Sequence, residues 1–297
     1  MAKKSSSNKP TKYYPVDRRM DLAPTSPNGT TACVRVDKLL SEVNHRLYRQ
    51  SRVYEVKLDL DADVIDETVD IYALRPTWYV MNAYQLAYET FLKNSREEDA
   101  KKARWNDFRV QSGWVDVNTF VQPLGHDGNG TTASITGGEY EYSQVHNAAG
   151  DQREFSWSLQ DATTYNIVAQ YDVEKNTDVS STTGSAVPYD GLSDDVDSGQ
   201  QEHLQSDGNA PPYSATTLDD DIWVRIATLH TGASGAQKLS TGYFDAPCGF
   251  VMVQKRTGNY GSGTMKMTLQ VKGGDYKGVA GHQMLDFEAA EKALKEA

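Results

Sequence analysis

The 297-residue sequence predicts an all-β protein with inserted helices. Three observations carry this expectation. Roughly nine strand-like runs are bounded by Gly, Asn, Asp and Pro, the residues that β turns require. Only two or three segments switch to a helical period. The chain is also long enough to bury roughly 75% of its unfolded surface, so one large β domain or two smaller ones are open to it.

Residues 1 to about 30 are rich in Ser, Lys, Pro, Asn and Thr and poor in core formers, which is the composition of a flexible basic arm. A short amphipathic helix follows over 37–48, with apolar residues at 39, 40, 43, 47 and 48. From Val53 to Leu60 apolar and polar residues alternate, with a side step at Tyr54, giving the best strand signal in the chain. A second strand covers 69–74 and stops at Pro76. Val80, Tyr84, Ala87 and Phe91 then share one helical stripe, so a helix is inserted near 78–100. Trp78, Tyr79, Tyr84 and Tyr88 on it are read mostly as core. Strand runs resume at 108–117, 134–145, 154–159, 165–171, 222–229, 249–254 and 264–271. The segment near 172–221 is too long and too polar for a core connection and reads as a protruding acidic surface loop. Residues 285–297 read as a C-terminal helix with Glu288/Lys292 and Glu291/Lys295 at i,i+4. The body is therefore one domain over 31–284, with an arm before it and a helix after it.

Charge is segregated along the chain. The formal total is −11, which by itself argues against a nucleic-acid partner. Residues 1–20, however, hold Lys3, Lys4, Lys9, Lys12, Arg18 and Arg19 against Asp17, a local +5 that leaves −16 for the rest. Ten acids lie within 176–221, which contains no Lys or Arg. Residues 34–57 are basic, with Arg35, Lys38, Arg46, Arg49, Arg52 and Lys57 against Asp37, Glu42 and Glu55. The arm reads either as a solubilising tail or as a cationic arm that neutralises phosphates, with Arg46, Arg49 and Arg52 as a second basic segment beside Tyr48.

Catalytic and cofactor motifs are not found. Six histidines are scattered without a zinc-ligand spacing, and there is no phosphate-binding loop of the Walker type. Gly258-Asn-Tyr-Gly-Ser-Gly263 reads as a hairpin turn between two strands. Ser234 lacks the strand-to-helix context of a nucleophile elbow. Asp59, Asp61 and Asp63 alternate on one face of a strand, so they either bind calcium through oxygen or guard a solvated strand edge. Cys33 and Cys248 are read as two reduced thiols, with a long-range disulfide as the alternative. No apolar run reaches the ~18 residues of a membrane span, and residues 1–10 have no apolar core of a secretory signal.

Two stretches resemble a known family. Val43-Asn-His-Arg-Leu-Tyr-Arg-Gln-Ser-Arg-Val-Tyr-Glu-Val-Lys-Leu-Asp-Leu-Asp61, followed by Val69-Asp-Ile-Tyr-Ala-Leu74 and the helix from Thr77-Trp78, is similar to the capsid proteins of small circular Rep-encoding single-stranded DNA viruses. Gly242-Tyr-Phe-Asp-Ala-Pro-Cys-Gly-Phe-Val251 resembles a late strand of the same proteins. The resemblance implies a single jelly-roll β-sandwich of eight antiparallel strands that self-assembles into an icosahedral shell of many copies around single-stranded DNA. It implies no enzymatic activity, no cofactor and no membrane insertion, and a virion protein made inside a host cell. Such proteins often carry a denser Arg-rich arm than the six basic residues in twenty found here. The nucleic-acid-binding residues expected on this reading are Lys3, Lys4, Lys9, Lys12, Arg18, Arg19, Arg46, Arg49 and Arg52. The acidic loop would face outward, toward a host receptor. The alternative is a β-sandwich attachment or carbohydrate-binding module, tail-fibre-like, that forms no shell. A glycoside hydrolase on a β scaffold is the enzymatic rival.

Overall fold

The structure is a computed structural model that describes residues 15–22, 31–62, 68–94, 105–114, 121–126, 132–135, 137–138, 140–146, 150, 152–175, 222–232, 237–256 and 265–285. Two antiparallel sheets form its framework. The first holds β1 (Arg19–Leu22), β13 (Met265–Val271), β3 (Arg52–Ala62) and β11 (Gln237–Pro247) in that spatial order, with β14 (Gly281–Gln283) beside the start of β3. The second holds β10 (Trp223–His230), β4 (Thr68–Leu74), β12 (Phe250–Lys255) and β2 (Thr31–Arg35). Helix α1 (Val36–Asn44) follows β2 directly.

One apolar core lies between the sheets. Val56, Leu58 and Leu60 of β3, Met267, Leu269 and Val271 of β13, and Met20 and Leu22 of β1 meet Val34, Ile71, Val251 and Val253 of the second sheet. At roughly 1.5–3 kcal/mol for each fully buried aliphatic side chain, this layer dominates the framework. Alternation in β3 sends Tyr54, Val56, Leu58 and Leu60 inward while Glu55, Lys57 and Asp59 stay half-exposed. Tyr54 is thus in phase with the core, and Val53 is the residue out of step. A second core covers the other face of the second sheet, where Cys33, Leu74, Phe250 and Met252 pack against Tyr84 and Ala87 of α2 (Trp78–Asn94), Ile167 and Val168 of α3 (Ile167–Lys175), Phe155 and Trp157. Strands buried on both faces carry continuous apolar runs, which is why Phe250-Val-Met-Val253 shows no alternation.

The 75–222 insertion between β4 and β10 also carries a short hairpin, β5 (Leu124–His126) with β6 (Thr132–Ser134), and a small mixed sheet of β7 (Gln144–His146), β8 (Gln152–Ser156) and β9 (Thr164–Asn166).

Several sequence expectations change. Arg19–Leu22 belongs to the first sheet, so the expected arm over 1–30 contains a strand whose Met20 and Leu22 are core. Strands β2 and β11 occupy residues that carry no clear period. In β11 a bulge between Ser240 and Tyr243, with Gly242 at φ 72°, breaks the alternation, and the Thr241 hydroxyl accepts the Leu58 N–H at 3.0 Å. The 165–171 run is a strand only to Asn166. There the side-chain oxygen accepts N–H bonds from Val168 and Ala169 at 3.0 and 3.1 Å, an N-cap that starts α3. Residues 172–175 of the expected acidic loop belong to that helix. Within 108–117 and 134–145 the described backbone is mostly irregular. Helix α1 stops at His45, which takes the left-handed conformation at φ 47°, so Leu47 and Tyr48 follow it instead of extending it. Strands β12 and β13 lie in different sheets and so are not the two arms of one hairpin, and 258–263 lies outside the described residues. Trp78 is 63% exposed, whereas Tyr84 is core. Residues 176–221, 286–297 and 95–100 lie outside the described residues.

Candidate nucleic-acid interface

One end of the first sheet gathers basic residues from distant parts of the chain. Its scaffold is the 45–52 segment, which the end of α1 launches. The Ser41 hydroxyl donates to the Asp37 carbonyl at 2.6 Å and accepts the Tyr48 N–H at 2.9 Å, so the chain turns back across the helix terminus. Arg49 is then held by its backbone between two tyrosine hydroxyls. Tyr276 accepts its N–H at 3.1 Å, and Tyr54 donates to its carbonyl at 2.6 Å. Its side chain is left exposed. Arg52 lays its guanidinium over the Tyr276 ring at 4.1 Å. Gln50, buried beneath them, exchanges side-chain hydrogen bonds with the Val110 backbone at 2.8 and 2.6 Å and gives its N–H to Asp107 at 2.8 Å.

The partner of this segment is a tight turn at 276–279. Tyr276 and Val279 exchange both backbone hydrogen bonds at 3.0 Å, and Lys277 and Gly278 have φ of 52° and 93°. The turn aims Lys277 at the segment, where its ammonium donates to the Leu47 carbonyl and the Tyr48 hydroxyl donates to the Lys277 carbonyl at 3.1 Å. Burial lowers the Lys277 pKa, and the charges of Arg46 and Arg49, and then Arg52, add to that shift against the opposing Asp107. Arg46, Arg49 and Arg52 therefore act on Lys277 as like charges at close range.

The arm residues come to the same end. The Arg18 carbonyl accepts the Val271 N–H at 2.8 Å, and its guanidinium fills the space that a side chain at Gly273 would need. Arg19 pairs with Gln270. Asn44, at the end of α1, clips Asp17 with two hydrogen bonds of 2.8 and 3.0 Å, so the chain leaves the sheet next to Arg46. Arg46, Arg49 and Arg52 thus gather around Lys277, whereas Arg18 and Arg19 are placed on β13 at Val271 and Gln270. Lys3, Lys4, Lys9 and Lys12 lie outside the described residues.

The rest of the basic segment is spoken for. Arg35 is 1% exposed, paired with Asp37 at 3.1 Å and stacked 4.2 Å from the Phe250 ring, with Tyr140 bonded to both ions. Lys57 pairs with Asp59 at 3.1 Å. Among the described residues no carboxylate forms an ion pair with Arg46, Arg49 or Arg52. Lys272 and Lys277 are additions that the sequence reading missed. Lys272 is bound to Glu55 at 2.5 Å, whereas Lys277 forms no ion pair among the described residues. The Lys277-Gly278 pair signals a turn, but no local pattern says which basic residues that turn will meet.

Asp59 also accepts a bond from Gln270 at 3.0 Å, and Asp63 lies outside the described residues. Among the described residues no three His, Cys, Asp or Glu side chains converge as a metal site. Cys33 and Cys248 are both free and buried, and Cys248 Sγ lies 3.6 Å from Met284 Sδ. Among the described residues no helix is long and apolar enough to cross a membrane. Compared with known proteins, the chain matches no family model, no curated protein and no solved structure.

Proposed function

We propose that this chain is the shell subunit of a small single-stranded DNA virus, a jelly roll that self-assembles into an icosahedral capsid and meets the genome at the basic end of its first sheet. The observation that carries the reading is strand order. Taken in chain order, β1, β2, β3, β4, β10, β11, β12 and β13 are eight strands that run 1-8-3-6 in one sheet and 5-4-7-2 in the other. The chain thus crosses between sheets at nearly every step and wraps as two interlocked Greek keys, an architecture that recurs in viral shell domains. Lectins and other proteins share it, so strand order supports the shell reading and the basic end of the sheet supports the nucleic-acid partner. Asn44 holds Asp17 two residues from Arg46, and Lys3, Lys4, Lys9 and Lys12 precede that point in sequence. Such a surface neutralises phosphates without reading bases. The ten acids of 176–221 follow α3 in sequence, and on this reading they serve host attachment.

Negative-stain microscopy and light scattering of the recombinant full chain test this. Uniform closed particles that retain nucleic acid are expected. A stable species of 32.9 kDa that assembles at no salt concentration or pH overturns the shell reading in favour of an attachment or carbohydrate-binding module.

A further inference from the structure

Beneath the basic end of the first sheet lies a carboxylate. Asp107 is 8% exposed, and its Oδ2 accepts the N–H of Gln50, the residue after Arg49, at 2.8 Å. Among the described residues it forms no ion pair. We infer that Asp107 is the acid through which pH sets how tightly this end holds a phosphate backbone: neutral, it leaves the cations unopposed, and ionised, it offsets one of them. This rests on the nucleic-acid reading above and adds the regulation of that same surface.

The groups around Asp107 come from distant parts of the chain. Arg49 acts on it from the 45–52 segment, Arg109 from its own segment, Lys277 from the 276–279 turn and Asp37 from α1. Tyr54 of β3, Tyr84 of α2, Tyr276 and Cys248 feel its charge as well. Burial raises the pKa of each of these four, so they stay protonated and uncharged in acid and neutral solution. Asp37 is spent on Arg35, whose Nε and Nη2 donate to it at 3.2 and 3.1 Å. Asp107 is the acid whose charge opposes the shift that Arg46, Arg49 and Arg52 impose on Lys277.

Linkage gives the direction. A phosphate held at Arg49 and Lys277 disfavours the ionised form of Asp107, so binding and protonation favour each other. Burial pushes the Asp107 pKa up to about 6, against the Gln50 N–H bond and the charges of Arg109 and Arg49. Binding is therefore tightest below that value and weakens as pH rises through it. One charge acting on one phosphate across roughly 10 Å, at an effective dielectric of roughly 40, changes affinity about fourfold.

His45, next to Arg46 at the end of α1, and His282, opposite Val53 on β14, are exposed at this end too. Histidine changes charge in the same range, so the test uses the full chain with both replaced by Gln. Fluorescence anisotropy with a labelled thymidine dodecamer that lacks terminal phosphates measures affinity at about pH 5 and about pH 7.5 at one ionic strength. The ratio of the two affinities should be about fourfold larger with Asp107 than with Asp107→Asn. NMR of the Asp107 carboxyl carbon reads the same coupling without a substitution there, and its titration midpoint should move up when the dodecamer is bound. An equal ratio in the two proteins, or a midpoint that does not move, overturns the inference and leaves DNA binding in place. No saturable binding at either pH removes the nucleic-acid reading and the inference with it.

Discussion

Arg52 and Tyr276 come from opposite ends of the chain, yet the guanidinium carbon of one lies 4.1 Å from the ring centroid of the other. The hydroxyl of that same ring accepts the Arg49 N–H at 3.1 Å. One tyrosine therefore positions two arginines, one through its face and one through its edge. Tyr276→Phe should cost about 1 kcal/mol, the loss of a single hydrogen bond. Tyr276→Ala should cost about 3 kcal/mol, because the Tyr48 and Tyr54 rings packed around it lose their neighbour as well. Urea unfolding of the two variants measures this. Equal losses would assign the support to the hydroxyl alone.

Salt dependence reports on the cluster. Replacing Arg46, Arg49 or Lys277 with Gln should lower the slope of log K against log salt for single-stranded DNA by about 0.7 for each phosphate contact removed. Lys57→Gln should leave the slope unchanged, since Lys57 is already paired with Asp59 at 3.1 Å. A slope that responds equally to all four would place the strand on the open face of the first sheet.

Truncation separates arm from strand. Removing residues 2–14 should leave stability unchanged while weakening DNA retention, because that cut stops before β1. Removing residues 2–22 also deletes the buried Met20 and Leu22 and strips β13 of one of its two partners, leaving β3. That should cost about 3–6 kcal/mol from two buried side chains. Identical melting of both truncations would contradict the assignment of β1 to the core.

Asp107 gives a pH signature. Burial pushes its pKa from 3.8 up to about 6, against the Gln50 N–H bond and the charges of Arg109 and Arg49. The native state then holds this proton where the unfolded chain has released it. Stability contributed by this group is highest below about pH 4, falls as pH rises to about 6, and is level above that. The drop is about 3 kcal/mol at most. Asp107→Asn keeps an acceptor for Gln50 and should flatten the curve between pH 4 and 6. An unchanged curve would mean the proton is held elsewhere.

The thiols should be inert in the folded chain. Burial pushes Cys33 up to about 12 and holds Cys248 well above the ordinary thiol value, so neither should react with a disulfide reagent at pH 8. Both should react in guanidinium chloride. One thiol titrating under native conditions would reveal local opening between the second sheet and α2.

Local pattern reached some of this fold and stopped at definite places. The 53–60 alternation gave β3, because one face of that strand is buried and the other is wet. The 78–91 stripe gave α2 for the same reason on a helical period. Strand β11 escaped because its bulge at Ser240 and Tyr243 shifts the phase halfway, and β1 because four residues are too few for a period to register. The 165–171 run alternates like a strand, yet the Asn166 side chain caps a helix start and the backbone follows the cap. At the site, Arg46, Arg49 and Arg52 were visible as a basic run. Their convergence with Lys277 was not, since a turn so far along the chain has no local signal for its partner.

The sequence by itself determined the β-rich class, the inserted helix and the separation of basic from acidic segments, because each depends on residues a few positions apart. Only the tertiary structure decided which strands share a sheet, that Arg35 is spent inside on Asp37 while Arg49 faces solvent, and that the Glu42 carboxylate is buried without a donor among the described residues. Those outcomes depend on register and burial, and both are set by contacts between segments that are far apart in sequence.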